Sequence, residues 1–569
     1  MSVSGGKGVG SHRLLPNAAP ATPGANANPT PLADAVASRA QRTWEAPFHV
    51  PGHKRGSVIP PPLHRLNLGP ALQADLTELE GLDVLGSPAP GGVIAEAQQL
   101  AAEAWGAQST WFLVNGSTAG VHAAVMATCA GDVSTHTSTA LVIARNAHIS
   151  AFHAMILAKC TPIYVGPETC HDLGHNVTPE ALESGFREAL DRGLTPKAAL
   201  VVSPTYFGVT SDISGLVRVC EKFEAMLIVD EAHGAHLDFL PHPYCLLSAL
   251  HQGAHLVVQS THKQLAAFTQ GGMLHLGQTP WTAQDLQRRI SQVLSILQTT
   301  SPSYLIMASL DAARAQAQDP AVIQAAQDAA DCIHSWLLDY SKSCPHGTAA
   351  FEQLQNTGDA SIGRIDPWRF TLMLSEQSIN QRCRQFTGWE AAALLEREYG
   401  VVAECASRGA IVFAVGIGTT MEHAKQLTRG LKGLHDHLQS MQSVDPSINT
   451  LSKKQHGNRG VESKVSVPLL SPWTAFLASQ DSSEIVDIKH ASGRISAEML
   501  CPYPPGIPIV YPGEIIHSDM VKELLLVLQG GGRIVGAADP TLKSVRVLQR
   551  EEEKKEKKIG DVNGMVQGV

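Results

Sequence analysis

Between residues 91 and 300 two hydrophobic rhythms alternate along the chain. In "VIAEAQQLAAEAW", Ile94, Ala97, Leu100 and Ala104 recur at helical spacing, and Gly106 follows as a stop. The next stretch, "STWFLV", is short, apolar and extended in character. "TALVIA", "KAALVVS", "AMLIVDE" and "AHLVVQS" repeat that character. They are rich in β-branched residues, and each is followed by polar or small residues. Runs without polar alternation are strands buried on both faces. With helices between them they predict an α/β fold around a parallel-rich central sheet. In such sheets ligands sit beyond the carboxyl ends of the strands.

The pattern also divides the chain. Residues 1–43 read as a disordered leader, 44–345 as the major domain and 346–440 as a small α/β domain around "RFTLML" and "AIVFAVG". The aperiodic polar stretch 441–465 reads as a linker. Structure resumes over 466–549, and 550–569 is a charged tail with Glu before Lys at helical spacing. The first acidic residue is Asp34, so the leader has the acid-poor, Ser-bearing character of an organelle transit peptide. The alternative is a leader without an address, which leaves plastid or cytoplasm as the expected location.

Composition narrows the function classes. The net charge of −9 offers no basic surface for nucleic acid. The 10 Cys form no C-x-x-C pair and the 25 His no H-E-x-x-H, so no metal site is expected and a reducing compartment is. No run of about 18 apolar residues signals a membrane span.

The candidate chemistry sits at the ends of the apolar runs. Asp230 follows "MLIV", where an Asp serves as a metal ligand, a helix cap or the partner of a protonated ring nitrogen. Lys263 follows "LVVQSTH", where a lone Lys is usually solvated. Taken together they match pyridoxal phosphate, which needs a Lys for covalent attachment and an acid facing its pyridine nitrogen. "NGSTAG" opens a helical stretch, so backbone N–H groups with Ser117 and Thr118 would serve the phosphate. Ser260 and His262 flank Lys263 and reach toward the same group. His148 in "ARNAHIS" would stack on the pyridine ring, and Ala232 would pack its other face. His233 would hydrogen-bond near the phenolic oxygen or the carboxylate.

These stretches, with "PGHKRG", "DLTELEGLDVL", "SPTYFGVTSDI", "TSPSYLIMASLD" and the late "ASGRISAEMLCPYPPGIPIVYPGE", resemble the bacterial-type ornithine/lysine/arginine decarboxylases, which are fold-type I pyridoxal-phosphate enzymes. The resemblance covers roughly residues 46–545, with gaps in the middle. It implies Lys263 as the attachment lysine, Asp230 as the ring-nitrogen partner and His148 as the stacking residue. It assigns Ser117, Thr118, Ser260 and His262 to the phosphate, and residues 466–549 to the family's C-terminal domain. It further implies a homodimer or larger homo-oligomer. Two departures stand out. Ala147 and Ile149 replace the Cys and Lys that usually flank the stacking His, and "PGHKRG" lies near the start, as in the shorter branch without a receiver-like domain.

The expected activity is decarboxylation of a basic amino acid, arginine or lysine ahead of ornithine. Lys263 and His262 are the candidate proton donors, and Glu498 is the candidate acid for the substrate's distal cation. The rival expectations are another fold-type I reaction, transamination or Cα–Cβ cleavage, and a paralogue that binds cofactor without turnover.

Overall fold

The structure is a computed structural model describing residues 29–130, 138–167, 169–170, 173–278, 283–344, 349–355, 363–375, 386–442, 469–478 and 482–549. Seven strands form the central sheet: β1 (Ser109–Leu113), β2 (Thr139–Ala144), β3 (Thr161–Val165), β4 (Thr195–Val202), β5 (Met226–Asp230), β6 (Leu256–Gln259) and β7 (Gly272–Leu276). Their order is β1-β7-β6-β5-β4-β2-β3. Every pairing is parallel except those of β7, which runs antiparallel to both β6 and β1. The sheet is therefore parallel-rich, as the apolar runs predict. The sequence reading did not pick out β7, the short Gly-led run "GMLHL".

Burial on both faces explains the lack of polar alternation. In β5, Leu227, Ile228 and Val229 are all fully buried. Leu227 and Val229 pack with the helices α2 (Val93–Trp105), α5 (Pro179–Asp191) and α6 (Ile213–Lys222). Ile228 points to the opposite core, with α3 (Gly116–Cys129), α4 (Ile149–Ala158) and α8 (Ala283–Leu297). A short turn, α7 (Thr261–Gln264), follows β6.

Two helices, α9 (Tyr304–Ala317) and α10 (Pro320–Ser343), lead to a four-stranded antiparallel sheet. Its order is β8 (Phe351–Gln353), β9 (Arg369–Leu374), β11 (Ala410–Ala414) and β10 (Cys405–Ala406), and it shares a core with α10, α11 (Gly388–Tyr399) and α12 (Met421–Gln442). The Ile417 amide, just past β11, donates to the Gln264 carbonyl at 2.8 Å. That bond fastens the second unit beside Lys263. The last unit pairs β12 (Ser483–Asp487) with β15 (Ser544–Leu548), and β13 (Cys501–Tyr503) with β14 (Arg533–Val535), against α13 (Ser518–Gln529).

The leader expected to be disordered over residues 1–43 contains the helix α1 (Pro31–Ala40). Leu32 and Val36 enter the main core, and the Leu32 and Ala33 amides donate to the Asp311 carboxylate at 2.9 and 3.2 Å. Asp311 is held in turn by Arg314 at 2.9 Å. The helix is capped by a partner far along the chain, a signal no local pattern carries. Most of the expected transit segment, most of the linker 441–465 and the tail 550–569 lie outside the described residues. Among the described residues no helix is long and apolar enough to cross a membrane.

Gly120 shows how tightly α3 sits on the sheet. A Cβ there would stand 2.7 Å from Leu113 Cδ1 and 2.8 Å from Val258 Cγ1. Gly→Ala in an exposed helix stabilises by about 1 kcal/mol. Here overpacking reverses the sign, because Val258 is β-branched and stiff. Gly120→Ala is expected to destabilise by about 1–3 kcal/mol, read from the urea midpoint. A rise in the midpoint would show that the helix has room to lift.

Candidate active site

The carboxyl ends of β1, β2, β5 and β6 lie on one edge of the sheet and carry the candidate residues. Asp230 ends β5 and is paired in register with Val258 of the neighbouring strand β6. Lys263 stands in α7 immediately beyond β6. A carboxylate and an amine thus end adjacent strands.

Burial lowers the pKa of Lys263, while the charges of Asp230 and Glu404 pull it back up. Its Nζ lies 2.9 Å from Nε2 of His233. On the far side of that ring, Arg369 Nη2 donates to His233 Nδ1. A guanidinium only donates, so Nδ1 accepts and the proton resides on Nε2. Burial first, then the charges of Lys263 and Arg369, push the His233 pKa well below its ordinary value, so the imidazole is neutral. A neutral imidazole donating from Nε2 requires a lone pair on Nζ. The arrangement therefore favours Lys263 as the free amine, the form that attacks a carbonyl.

Asp230 is 4% exposed. Its Oδ1 accepts from the Ala232 amide at 3.2 Å, and burial raises its pKa against the pull of Lys263 and of that amide. A buried carboxylate with so few favourable neighbours gains from a further cation, which a protonated ring nitrogen provides.

Opposite lies an anion cradle. Helix α3 begins at Gly116 in the left-handed region, φ +74°, with Ser117 and Thr118 in its first turn. The Ser260 hydroxyl donates to Ser117 Oγ at 2.7 Å, joining the two loops. A Cβ at Gly272 would stand 2.8 Å from the Gln259 carbonyl and 3.3 Å from the Ser117 amide nitrogen, so only glycine fits beside the cradle. His262 donates from Nδ1 to the Gly271 carbonyl at 2.8 Å, which leaves Nε2 as its remaining polar atom.

His148 caps α4 at the end of the β2 loop. Its Nδ1 accepts from the Ser150 amide at 3.2 Å and lies 2.9 Å from the Ser150 hydroxyl. Burial, with the charge of Lys263 adding, lowers its pKa to about 4, so the ring is neutral near neutrality.

Glu498 stands apart from this cluster. It belongs to the last unit, where its Oε2 accepts from the Ala538 amide at 2.7 Å and its Oε1 from the Arg546 amide at 2.5 Å. Both oxygens are spent on backbone. Four groups that sequence reasoning did not name do reach the site. Arg369 touches His233. Tyr206 meets the same ring edge-on, with centroids 4.8 Å apart. Glu404 lies 3.9 Å from Arg369 Nη1, and the Tyr206 hydroxyl donates to it at 3.4 Å. Gly506 packs on His148. The one available signal was a basic residue opening the otherwise apolar strand "RFTLML".

Comparison with known proteins decides the kinship. Residues 30–338 match the Orn/Lys/Arg decarboxylase major domain, and residues 459–536 match the C-terminal domain of the same family. The chain belongs to the Orn/Lys/Arg decarboxylase family. It is 31% identical to an arginine decarboxylase of Bacillus subtilis over 92% of this chain and 98% of the relative. It is 27% identical to a lysine decarboxylase of Pseudomonas aeruginosa over 82% of this chain and 71% of that protein. A solved lysine decarboxylase of Francisella novicida shares the fold, with a TM-score of 0.70 at 20% identity over 91% of this chain and 81% of that one. The family implies pyridoxal phosphate. The residues present fit it: an amine accessible to solvent, a buried acid one strand away, and a glycine-lined cradle at a helix N-terminus.

Asp230→Asn keeps the side-chain volume and removes the charge. The variant is expected to retain pyridoxal phosphate within a few-fold of wild-type affinity while turnover drops about a hundredfold or more. Equilibrium cofactor titration and single-turnover kinetics check this; near-normal turnover would place the required acid elsewhere.

Proposed function

We propose that this protein removes the α-carboxylate of a basic amino acid, arginine ahead of lysine, releasing the amine and CO2. The observation that carries the reading is the pairing of Lys263 and Asp230 on adjacent strand ends in a chain of this family. The preference for arginine is supported by the Bacillus subtilis and Halalkalibacterium halodurans relatives, each named arginine decarboxylase and each 31% identical to this chain.

When bound, pyridoxal phosphate supplies an electron sink for the pair left on Cα as CO2 departs. The chain's own residues do the rest. Lys263 Nζ would hold the cofactor, helped by its lowered proton affinity. Asp230 holds a proton on the ring nitrogen. Ser117, Thr118 and Ser260, with the α3 amides, would hold the phosphate, and His148 and Ala232 would line the space for the ring. His233 Nε2, 2.9 Å from Lys263 Nζ, donates to the free amine and orients it, and Lys263 is the group placed to return a proton to Cα. His262 is committed to the Gly271 carbonyl and is the weaker candidate for this step.

A basic substrate also needs an acid for its distal cation. Glu404 takes that role in place of Glu498. It is the carboxylate besides Asp230 whose charge acts on Lys263, and its side chain is 34% exposed. A guanidinium can engage it bidentately, an ammonium only as a point charge. The working unit is a homodimer or larger homo-oligomer, a reading supported by Trp44 and Phe48, which are 79% and 96% exposed in the single chain.

Release of labelled CO2 from arginine, lysine and ornithine tests the reading directly. Arginine is expected to react fastest. Reaction with none of the three, or formation of a keto acid instead, would overturn it. Lys263→Ala is expected to lose borohydride-fixed pyridoxyl label entirely. Glu404→Gln is expected to raise KM about tenfold or more with a smaller change in kcat, because the contact is made in ground and transition states alike. Glu498→Gln is expected to lower stability and leave KM unchanged; the opposite pattern would return the distal contact to Glu498.

A further inference from the structure

The proline-rich stretch near the end of the chain reaches the cofactor side of the sheet. Gly506, with φ +88°, sits against the imidazole of His148: a Cβ at this position would stand 2.9 Å from both Cδ2 and Nε2 of that ring. The Gly506 carbonyl accepts the Ile149 amide at 2.9 Å, satisfying the first orphan donor of α4 directly after His148. Ser150 holds the other edge of the ring at Nδ1. The ring is thus confined by Ser150 at Nδ1 and by Gly506 near Cδ2 and Nε2.

A buried knot fixes Gly506 in place. Arg145, three residues before His148, donates from Nη1 to the Pro508 carbonyl at 2.9 Å and to the Tyr511 hydroxyl at 2.6 Å. Its Nη2 donates to the Ile509 carbonyl at 2.8 Å and lies 3.4 Å from Glu514. Its guanidinium stands 4.0 Å over the Tyr511 ring, and Tyr511 stacks on Phe152 of α4 with centroids 3.8 Å apart. The contacts run from both ends of the β2–α4 turn to one short segment of the C-terminal unit. A planar cation with fixed donors reads backbone carbonyls well, and Lys would not replace it.

We propose that Gly506, locked by the Arg145–Tyr511 knot, is a positioning residue for His148: its missing side chain leaves the space that the imidazole occupies beside the cofactor site. This rests on the pyridoxal-phosphate reading of the site. The C-terminal unit is thereby part of the cofactor seat although it supplies no group that touches the reacting atoms.

Equilibrium titration of purified protein with pyridoxal phosphate, followed by absorbance and fluorescence, tests the proposal through a double-mutant cycle. His148→Ala is expected to weaken cofactor binding about tenfold through loss of stacking. Gly506→Ala is expected to weaken it by a similar factor and to shift the absorbance band of bound cofactor. Combined with His148→Ala, Gly506→Ala is expected to add almost nothing, since the ring it displaces is gone. An equal cost in both backgrounds overturns the proposal, because it shows a general structural effect. Wild-type affinity and spectrum in Gly506→Ala overturn it as well. If Gly506→Ala does not yield soluble protein, Tyr511→Phe, which removes the hydroxyl that Arg145 holds, takes its place in the same cycle with the same outcomes. Failure of wild type to bind pyridoxal phosphate at all is a separate result: it overturns the parent reading, and the proposal with it.

Discussion

Everything at this site depends on holding an amine that solvent can reach beside a buried carboxylate, at the ends of two neighbouring strands. Desolvation drives Lys263 toward its free base and Asp230 toward its acid. Their mutual attraction opposes both shifts, so small changes in spacing alter the protonation of either. The strands must therefore be fixed against slipping. A buried polar chain does this just below the site. Glu231 accepts from the Ala249 amide and the Gln259 side chain, both at 2.7 Å. Gln259 Oε1 meets His275 Nε2 at 3.2 Å, and Thr110 Oγ1 lies 2.8 Å from Nδ1 of the same His275. The chain crosses β5, β6, β7 and β1 in turn. A fully partnered buried network specifies one register, where an apolar filling would tolerate several.

The site is shared among three parts of the fold. The central sheet carries Lys263, Asp230 and the Ser117 turn at its carboxyl end. The second unit adds Arg369 from β9 and Glu404 from just before β10, and the Ile417–Gln264 bond joins it to the turn that holds Lys263. The last unit adds no reactive group but closes on the β2–α4 loop. Gly208 shows how closely the first two meet: a Cβ there would stand 2.7 Å from the Arg369 side chain. The Arg369 guanidinium can reach His233 only because the backbone of the major unit approaches it without a side chain between them.

Legibility in the sequence followed sequence distance. Strands buried on both faces announce themselves as short apolar runs, so the ends of β5 and β6, and with them Asp230 and Lys263, were readable. The antiparallel β7 was hidden because it is brief and opens with Gly272, whose smallness serves the cradle. Helix α1 was hidden because Asp311, from α9, caps it. Arg369, Glu404 and Gly506 were invisible as site residues, since nothing near them in sequence marks what they will meet. Glu498 drew attention as an acid within a distinctive motif, yet its carboxylate organises the backbone of its own unit. An acidic residue in a family motif can serve the motif's fold.

The Arg145–Pro508 contact also carries a consequence for how the protein is made. Its partners are 363 residues apart. At ordinary ribosomal rates of about 5–20 residues per second, roughly 20 to 70 seconds separate the synthesis of the two. The central sheet can emerge and collapse well before the segment that seats His148 exists. During that interval the nascent chain exposes Arg145 and the Phe152 face of α4 with neither their counter-charges nor their aromatic cover. Assembly thus has a built-in final step, the closing of the last unit over a prefolded sheet. The contact that holds Gly506 against His148 forms only after Pro508 has been made.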